Sequence, residues 1–291
     1  MTLSEDDWRR IARGGFDSQN PVETAAAYGL FKGGEEILQH QLGYSILNVD
    51  LPTVIREGLR QLEARRIALL QTDEVVSRID QALLSDNGYA LIRFGDGELL
   101  TLAQDTVLTV QEVQTVAPWL QLSGVTIPDL DARDRLAEAF SRADLVGVPT
   151  SRFMTYGALF LRLASHYSWP IEQSPLTSSV VNYAIYEHTD LYQRILRNNK
   201  VLLIGNRSAK LQTVLENSGF TTVAGHITVE GMSSITSALQ EADQYDFDVA
   251  LVAAGIPACI ICPRLRDRGK VAIDFGHLAD GLADGNLKLS V

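Results

Sequence analysis

The chain has 291 residues, 46% of them hydrophobic, enough to bury a sizeable core in one large α/β domain or in a domain with a helical appendage. Its formal net charge of −11, from 25 basic against 36 acidic residues, argues against a protein that tracks a nucleic-acid backbone, because such proteins neutralise phosphates with clustered Lys and Arg. The longest apolar stretch, Val249 to Cys262, is broken by Gly255 and Pro257 and is shorter than the roughly 18 residues of a membrane span, so no transmembrane segment is expected.

The chain reads as helical to about residue 85, with an N-terminal helical region over 1–72 and a catalytic domain over 73–291. Met1 to Asp7 is acidic and lacks the basic-then-apolar order of a secretory signal, which makes a cytoplasmic location the expectation. Ser4 with Asp7 three residues on has the spacing of a capping box. Gly29, Gly33-Gly34 and Gly43 interrupt the next segments, and Leu51-Pro52 reads as a linker. From Thr53 a longer helix is expected, with Ile55, Leu59, Leu62 and Leu69 on one stripe and Arg56, Arg60, Glu63 and Arg66 elsewhere. That stripe needs a cover, either the chain's own core or another subunit, so a homo-oligomer through these helices is possible.

A further helix from about Asp73 to Leu84 leads through the turn pair Asn87-Gly88 into an alternating pattern. Strand-like runs at 89–94, 144–148, 200–205, 221–224, 248–254 and 270–275 are separated by helix-like segments such as 129–142, 178–197, 208–218, 232–243 and 257–268. Such alternation predicts an α/β fold with a mostly parallel sheet. Cys259 and Cys262 are the two cysteines. They read as buried helix residues, since one Cys-x-x-Cys is half a zinc site and the five histidines include no His-x3-His pair.

Several strands end in small or polar residues that a parallel sheet brings to one edge, where open α/β sheets place ligands. After the first come Gly95, Asp96, Gly97 and Glu98; after the second, Pro149 to Arg152; after the third, Gly205, Asn206 and Arg207. Gly255 follows the fifth, and Asp274 to His277 close the last. Asp96 and Glu98 are hard oxygen ligands, suited to Mg2+ or Mn2+, an ion that takes its remaining ligands from water and substrate phosphates. Pro257 suits the first position of a helix, leaving Gly255 and Ile256 to offer N–H groups to a phosphate.

Ile92-Arg93-Phe94-Gly95-Asp96-Gly97-Glu98 resembles the signature of the bacterial GT-D-fold glycosyltransferases, in which an Asp-x-Glu motif takes the place of the Asp-x-Asp motif of GT-A enzymes. Val249 to His277 resembles that family's closing segment, an apolar strand, a glycine-containing turn, a helix and a strand reading Ala272 to His277. The resemblance covers about residues 73 to 280. It implies a Rossmann-like catalytic domain, a nucleotide-diphosphate sugar donor, typically a UDP-sugar, a glycan or glycoconjugate acceptor, and Mn2+ or a similar ion. It also implies that Asp96 and Glu98 are the Asp-x-Glu pair, with Glu98 the direct metal ligand, and that Asp274 and His277 lie near the donor.

On that footing the metal neutralises the leaving diphosphate, Arg93 or Arg152 adds a charge-assisted clamp, and Asp274 or His277 takes the acceptor proton. Gly205 and Asn206 are assigned to the donor site from their place at a strand end alone. Two other classes compete: a Rossmann-type small-molecule methyltransferase, suggested by the glycine-ended strand 200–205, and a non-catalytic nucleotide-sugar-binding scaffold.

Overall fold

The computed structural model describes residues 3–85, 87–150 and 156–289, and the chain divides into two compact units, Met1–Ile67 and Ala68–Val291. The first unit is helical, with helices Glu5–Ala12, Pro21–Leu30, Glu36–Leu42 and Leu51–Gln61. The capping box expected at Ser4 is formed: the Ser4 hydroxyl accepts from the Asp7 N–H at 3.2 Å, and the Asp7 carboxylate accepts from the Ser4 N–H at 3.0 Å. Gly33-Gly34 does not break the chain into separate elements but lies in a π-helical turn, Phe31–Glu35, that runs on into the next helix. Leu51-Pro52 is likewise no linker. Asp50 caps the helix through a 2.9 Å bond from the Thr53 N–H, and proline is tolerated in a first turn because its missing N–H would have no intrahelical partner there.

The described residues of the second unit build an all-parallel, seven-stranded sheet of β1 (Tyr89–Arg93), β2 (Leu145–Val148), β3 (Leu176–Ser178), β4 (Val201–Gly205), β5 (Val223–Ile227), β6 (Val249–Ala253) and β7 (Val271–Asp274), in the order β3-β2-β1-β7-β6-β4-β5. This is the α/β architecture that the alternating sequence pattern predicts. Central strands are buried on both faces, which is why they read as short apolar runs. Leu91, Leu203, Leu251 and Ile273 join one core with Val75 and Ile79 of the helix Thr72–Leu83 and Ile185 and Ile195 further on.

One edge strand, β3, escaped the sequence pattern, and the other, β5, is displaced from it. β3 is three residues long, and its Ser178 falls in the stretch 178–197 that periodicity assigns to one helix; that stretch contains two helices, Val181–His188 and Leu191–Asn198, broken at Thr189-Asp190. β5 starts two residues later than expected, because as an edge strand it is only partly buried and carries Gly225 and His226. Cys259 and Cys262 are fully buried in the helix Ala258–Arg266, and loss of water pushes both thiols well up. No helix among the described residues is long and apolar enough to cross a membrane.

From β1 the chain moves outward to β2 and β3, crosses to β4 and β5 on the other side, and returns inward through β6 to β7 beside β1. The register pairs Val252 with Asp274 and Gly205 with Ala253, so the carboxyl ends of β4, β6, β7 and β1 open side by side. This is a topological switch point, where a crevice forms because consecutive connections leave in opposite directions.

Candidate functional site

The turn after β1 begins the site. Gly95 caps the helix Asp96–Ala103, and Glu98, three residues on, reaches back so that its Oε2 accepts from the Gly95 N–H at 2.9 Å. Asp96 stands exposed on the first turn, with Oδ1 accepting from the Gly97 N–H at 2.9 Å. Both carboxylates lie at a helix N-terminus, where the aligned peptide dipoles favour negative charge. Gly97 packs close to Ile256: a Cβ there would lie 3.3 Å from the Ile256 side chain, bringing the turns after β1 and β6 together.

Behind this turn sits a buried ion pair. Asp274, at the end of β7, is 4% exposed and accepts from Arg93 Nη2 at 2.8 Å through Oδ1. Arg93 Nε donates to the Asp274 carbonyl at 3.1 Å, and Nη1 donates to the Ser179 carbonyl at 2.9 Å and to Asn182 Oδ1 at 3.2 Å. Asn182 in turn donates to the Phe275 carbonyl at 3.1 Å. Arg93 therefore ties together the ends of β1, β7 and β3 and the helix that follows β3. Arg93, expected as a clamp for an anionic ligand, lines the cleft with its guanidinium held mainly by these protein acceptors. Arg152, the other expected clamp, lies outside the described residues.

Burial and crowding of like charge shape the two central acids. Loss of water, aided by the nearby Asp274 carboxylate, raises Glu98 to about 7 against the opposing pull of backbone N–H groups and Arg93. Burial also raises Asp274, with the adjacent Arg93 offsetting part of it. In the unfolded chain Glu98 titrates near 4.5, so the folded state holds an extra proton between there and about 7. The stabilisation from that proton is fully present below 4.5 and lost once the pH passes 7. Thermal midpoints in EDTA should therefore fall between pH 5 and 8 more steeply in the wild type than in Glu98→Gln. Superimposable profiles would contradict the raised Glu98.

These groups line one cleft of about 830 Å3 at the carboxyl edge of the sheet. Arg93, Gly95, Asp96, Gly97 and Glu98 come together there with Asp274 and His277, and Asn206 and Gly255 also line it. His277 is exposed and stands at the first position before the helix Leu278–Ala283, without a capping side-chain hydrogen bond. Gly205, expected to contact a ligand, does not reach the cleft: the carbonyl oxygen of Ala253 lies 2.1 Å from where its Cβ would stand, so this glycine allows β4 and β6 to approach rather than a cofactor.

Sequence reasoning missed Glu230, Asp280, Asn182 and the segment Trp119 to Gly124, of which all but Asn182 line the cleft. Asp280 carried a signal, since three residues after His277 places it on the same side of a helix that starts there. Glu230 was hidden by the displaced end of β5. The Trp119 segment, a 3-10 helix over Pro118–Ser123, has no periodicity to betray its position.

Among the described lining residues the acids Asp96, Glu98, Glu230, Asp274 and Asp280 face a single arginine. An anionic ligand entering such a cleft needs a cation to accompany it. The described residues contain no group of three or more His, Cys, Asp or Glu side chains arranged to hold a metal. An ion here would rest on one or two carboxylates, the usual case for Mg2+ bound together with a phosphate ligand. The all-oxygen donors suit that role, and a cation beside Glu98 would favour its ionised form against the burial that raises it.

A family model described as a GT-D fold-like domain matches residues 70–282. Among solved structures, one reported to show that the highly conserved domain of unknown function 1792 has a distinct glycosyltransferase fold is 16% identical, with a TM-score of 0.52, over 77% of this chain and 85% of that one. Another, a new glycosyltransferase of the DUF1792 class from Streptococcus sanguinis, is 15% identical with a TM-score of 0.50, over 77% of this chain and 88% of that one. At such identities the likeness is one of fold. No curated protein matches the chain.

Proposed function

The chain belongs to the GT-D-like family, and from that premise we propose that it is a glycosyltransferase of hexosyltransferase type, moving a sugar from a nucleotide-diphosphate donor, a UDP-sugar, to a hydroxyl of a glycan or glycoconjugate acceptor. The observation that carries this reading is the convergence of the Asp96/Glu98 turn, Asp274 and His277 on one acid-rich cleft at the switch point of the sheet.

Asp96 and Glu98 would hold Mn2+ or Mg2+, which when bound neutralises the leaving diphosphate. Glu98 serves through the carboxylate oxygen that its helix cap does not use. Asn206 and the Gly255 turn face the donor from the ends of β4 and β6. Glu230 and Asp280 are acceptors for sugar or ribose hydroxyls. His277, exposed on the lip, is placed to take the proton of the acceptor hydroxyl, while Asp274 holds Arg93 and with it the alignment of three strand ends.

Family membership weighs against a methyltransferase, as does Gly205, whose open face is filled by Ala253 rather than left free for a cofactor. A thermal-shift screen separates the readings. A ligand that binds only the native state at 100 times its dissociation constant adds about 2.7 kcal/mol, which for a chain of this size is a rise of several degrees. A UDP-sugar with Mn2+ should give that rise and S-adenosylmethionine none; the reverse pattern would sink the proposal. Slow donor hydrolysis by the purified protein would separate an enzyme from a scaffold.

A further inference from the structure

The cleft is rich in acids, yet part of its lining is apolar. Trp119 and Leu122 line it from the 3-10 helix Pro118–Ser123. Leu122 is 92% exposed, the most of any large hydrophobic side chain among the described residues of the second unit. A 3-10 helix has three residues per turn, so side chains at i and i+3 eclipse. Trp119 and Leu122 therefore stand in one column, while Leu120, one position round the helix, turns inward and is 1% exposed. Leucines scattered singly over a surface need no explanation, but a bare leucine in line with a tryptophan inside a functional cleft marks a binding surface.

Tertiary contacts fix where this ledge stands. At one end the Leu120 side chain lies 3.7 Å from where a Gly97 Cβ would be, beside the turn that carries Asp96. At the other, Gly124 and Gly231 meet backbone to backbone. A Cβ on Gly124 would lie 2.5 Å from the Gly231 Cα, and the two glycines adopt left-handed φ values of +86° and +96°. The Gly124 carbonyl also accepts from the Met232 N–H at 3.4 Å. Gly231 follows Glu230, and both line the cleft. The ledge therefore runs from the turn of Asp96 to the turn of Glu230, with a carboxylate at either end.

We propose that this ledge is an acceptor subsite, on which the pyranose ring that carries the reacting hydroxyl lays its C–H face against Trp119 and Leu122. It rests on the glycosyltransferase function proposed for the chain and specifies the acceptor as a cyclic saccharide. A pyranose is apolar across its ring faces and fringed with hydroxyls, which matches an apolar ledge bordered by carboxylates. The indole and the leucine cover the C–H face, and Glu230 accepts from the hydroxyls. Two other occupants match it less well. Uracil presents two carbonyl oxygens against a single N–H, so a carboxylate at its edge repels more than it binds. A lipid tail would take water from Glu230 and return no hydrogen bond.

The test uses the full-length protein with Mn2+. Of the three tryptophans Trp169 is buried, so Trp8→Phe leaves Trp119 as the responsive fluorophore. In that background cellobiose, maltose or diacetylchitobiose should shift the emission saturably, whereas sorbitol, which has hydroxyls but no ring face, should not. By saturation-transfer NMR, Trp119→Ala should weaken the disaccharide about tenfold, the loss of one large apolar contact, and Trp119→Phe by under about threefold. Leu122→Ser should weaken it about threefold, and because Leu122 is exposed this variant reads the ledge without challenging the fold. No response to any of the three disaccharides, an equal response to sorbitol, or indifference to Leu122→Ser overturns the proposal. So does uridine saturating the Trp119 signal, which would make the ledge a base platform, or octyl glucoside binding far more tightly than methyl glucoside, which would make it a lipid site. Calorimetry of a UDP-sugar keeps the two levels apart. Donor binding without a saccharide response fails the ledge alone, whereas a saccharide response without donor binding fails the transferase function and takes the acceptor role with it.

Discussion

Glu98→Gln should yield a folded protein that has lost cation-dependent donor binding, with sugar transfer reduced by about 10^3-fold or more, on the scale of losing a main electrostatic contributor to the transition state. Glutamine is the informative substitution because Glu98 has two jobs. One oxygen accepts from the Gly95 N–H and closes the first turn of the helix Asp96–Ala103; the other is left for a ligand. A glutamine carbonyl can keep the first bond while removing the charge. Alanine would remove both and cost about 1 kcal/mol in lost capping, confusing a local loosening of the Asp96 turn with loss of the ion. Calorimetry of Mn2+ and a UDP-sugar, alone and together, reads the binding, and undiminished turnover in Glu98→Gln would remove Glu98 from the mechanism.

Arg93→Met should destabilise the protein by about 3–5 kcal/mol at pH 8, the usual cost of stranding one member of a buried ion pair. Arg93 and Asp274 retain only 15% and 6% of their side-chain exposure, so water screens the pair little. Without the guanidinium, Asp274 and Glu98 face each other uncompensated and both favour the neutral form. The loss should therefore shrink as the pH falls and the carboxylates take up protons. Urea unfolding at pH 8 and pH 5 measures the difference; equal losses at both would show that methionine fails by shape rather than by stranding a charge. Gly276→Ala should disturb the same network from the other side. Gly276 adopts φ +58°, and a Cβ there would lie 2.0 Å from Arg93 Nη2, so the variant meets both backbone strain of about 1–3 kcal/mol and a direct collision.

Much of the fold is legible along the chain because its signals are local. Ser4 and Asp7 announce a helix start through a bond between neighbours, and the central strands announce themselves because burial on both faces demands unbroken apolar runs. Legibility failed where the deciding contact is distant. Leu51-Pro52 is the exception, since the signal there, Asp50 accepting from the Thr53 N–H, is local and the proline masks it. The edge strands β3 and β5 are short or partly exposed, so pairing with a neighbouring strand, and not their own pattern, makes them strands.

The candidate site divides in the same way. Asp96 and Glu98 could be singled out because their chemistry and helix-start position are written within four residues, and Asp274 and His277 because they end an apolar strand. Their residue types, their order and the parallel α/β fold were determined by the sequence by itself. What the tertiary structure decided was partnership. Only folding sets Arg93 against Asp274, 181 positions apart in the chain, turning an expected ligand clamp into the tie between strand ends. It also closes Gly205 against Ala253 and brings Glu230, Asp280 and Trp119 to the rim. Helix caps and strand periodicity act between neighbours in sequence, whereas desolvation and ion pairing act between neighbours in space, and the properties of Glu98 and Arg93 belong to the second kind.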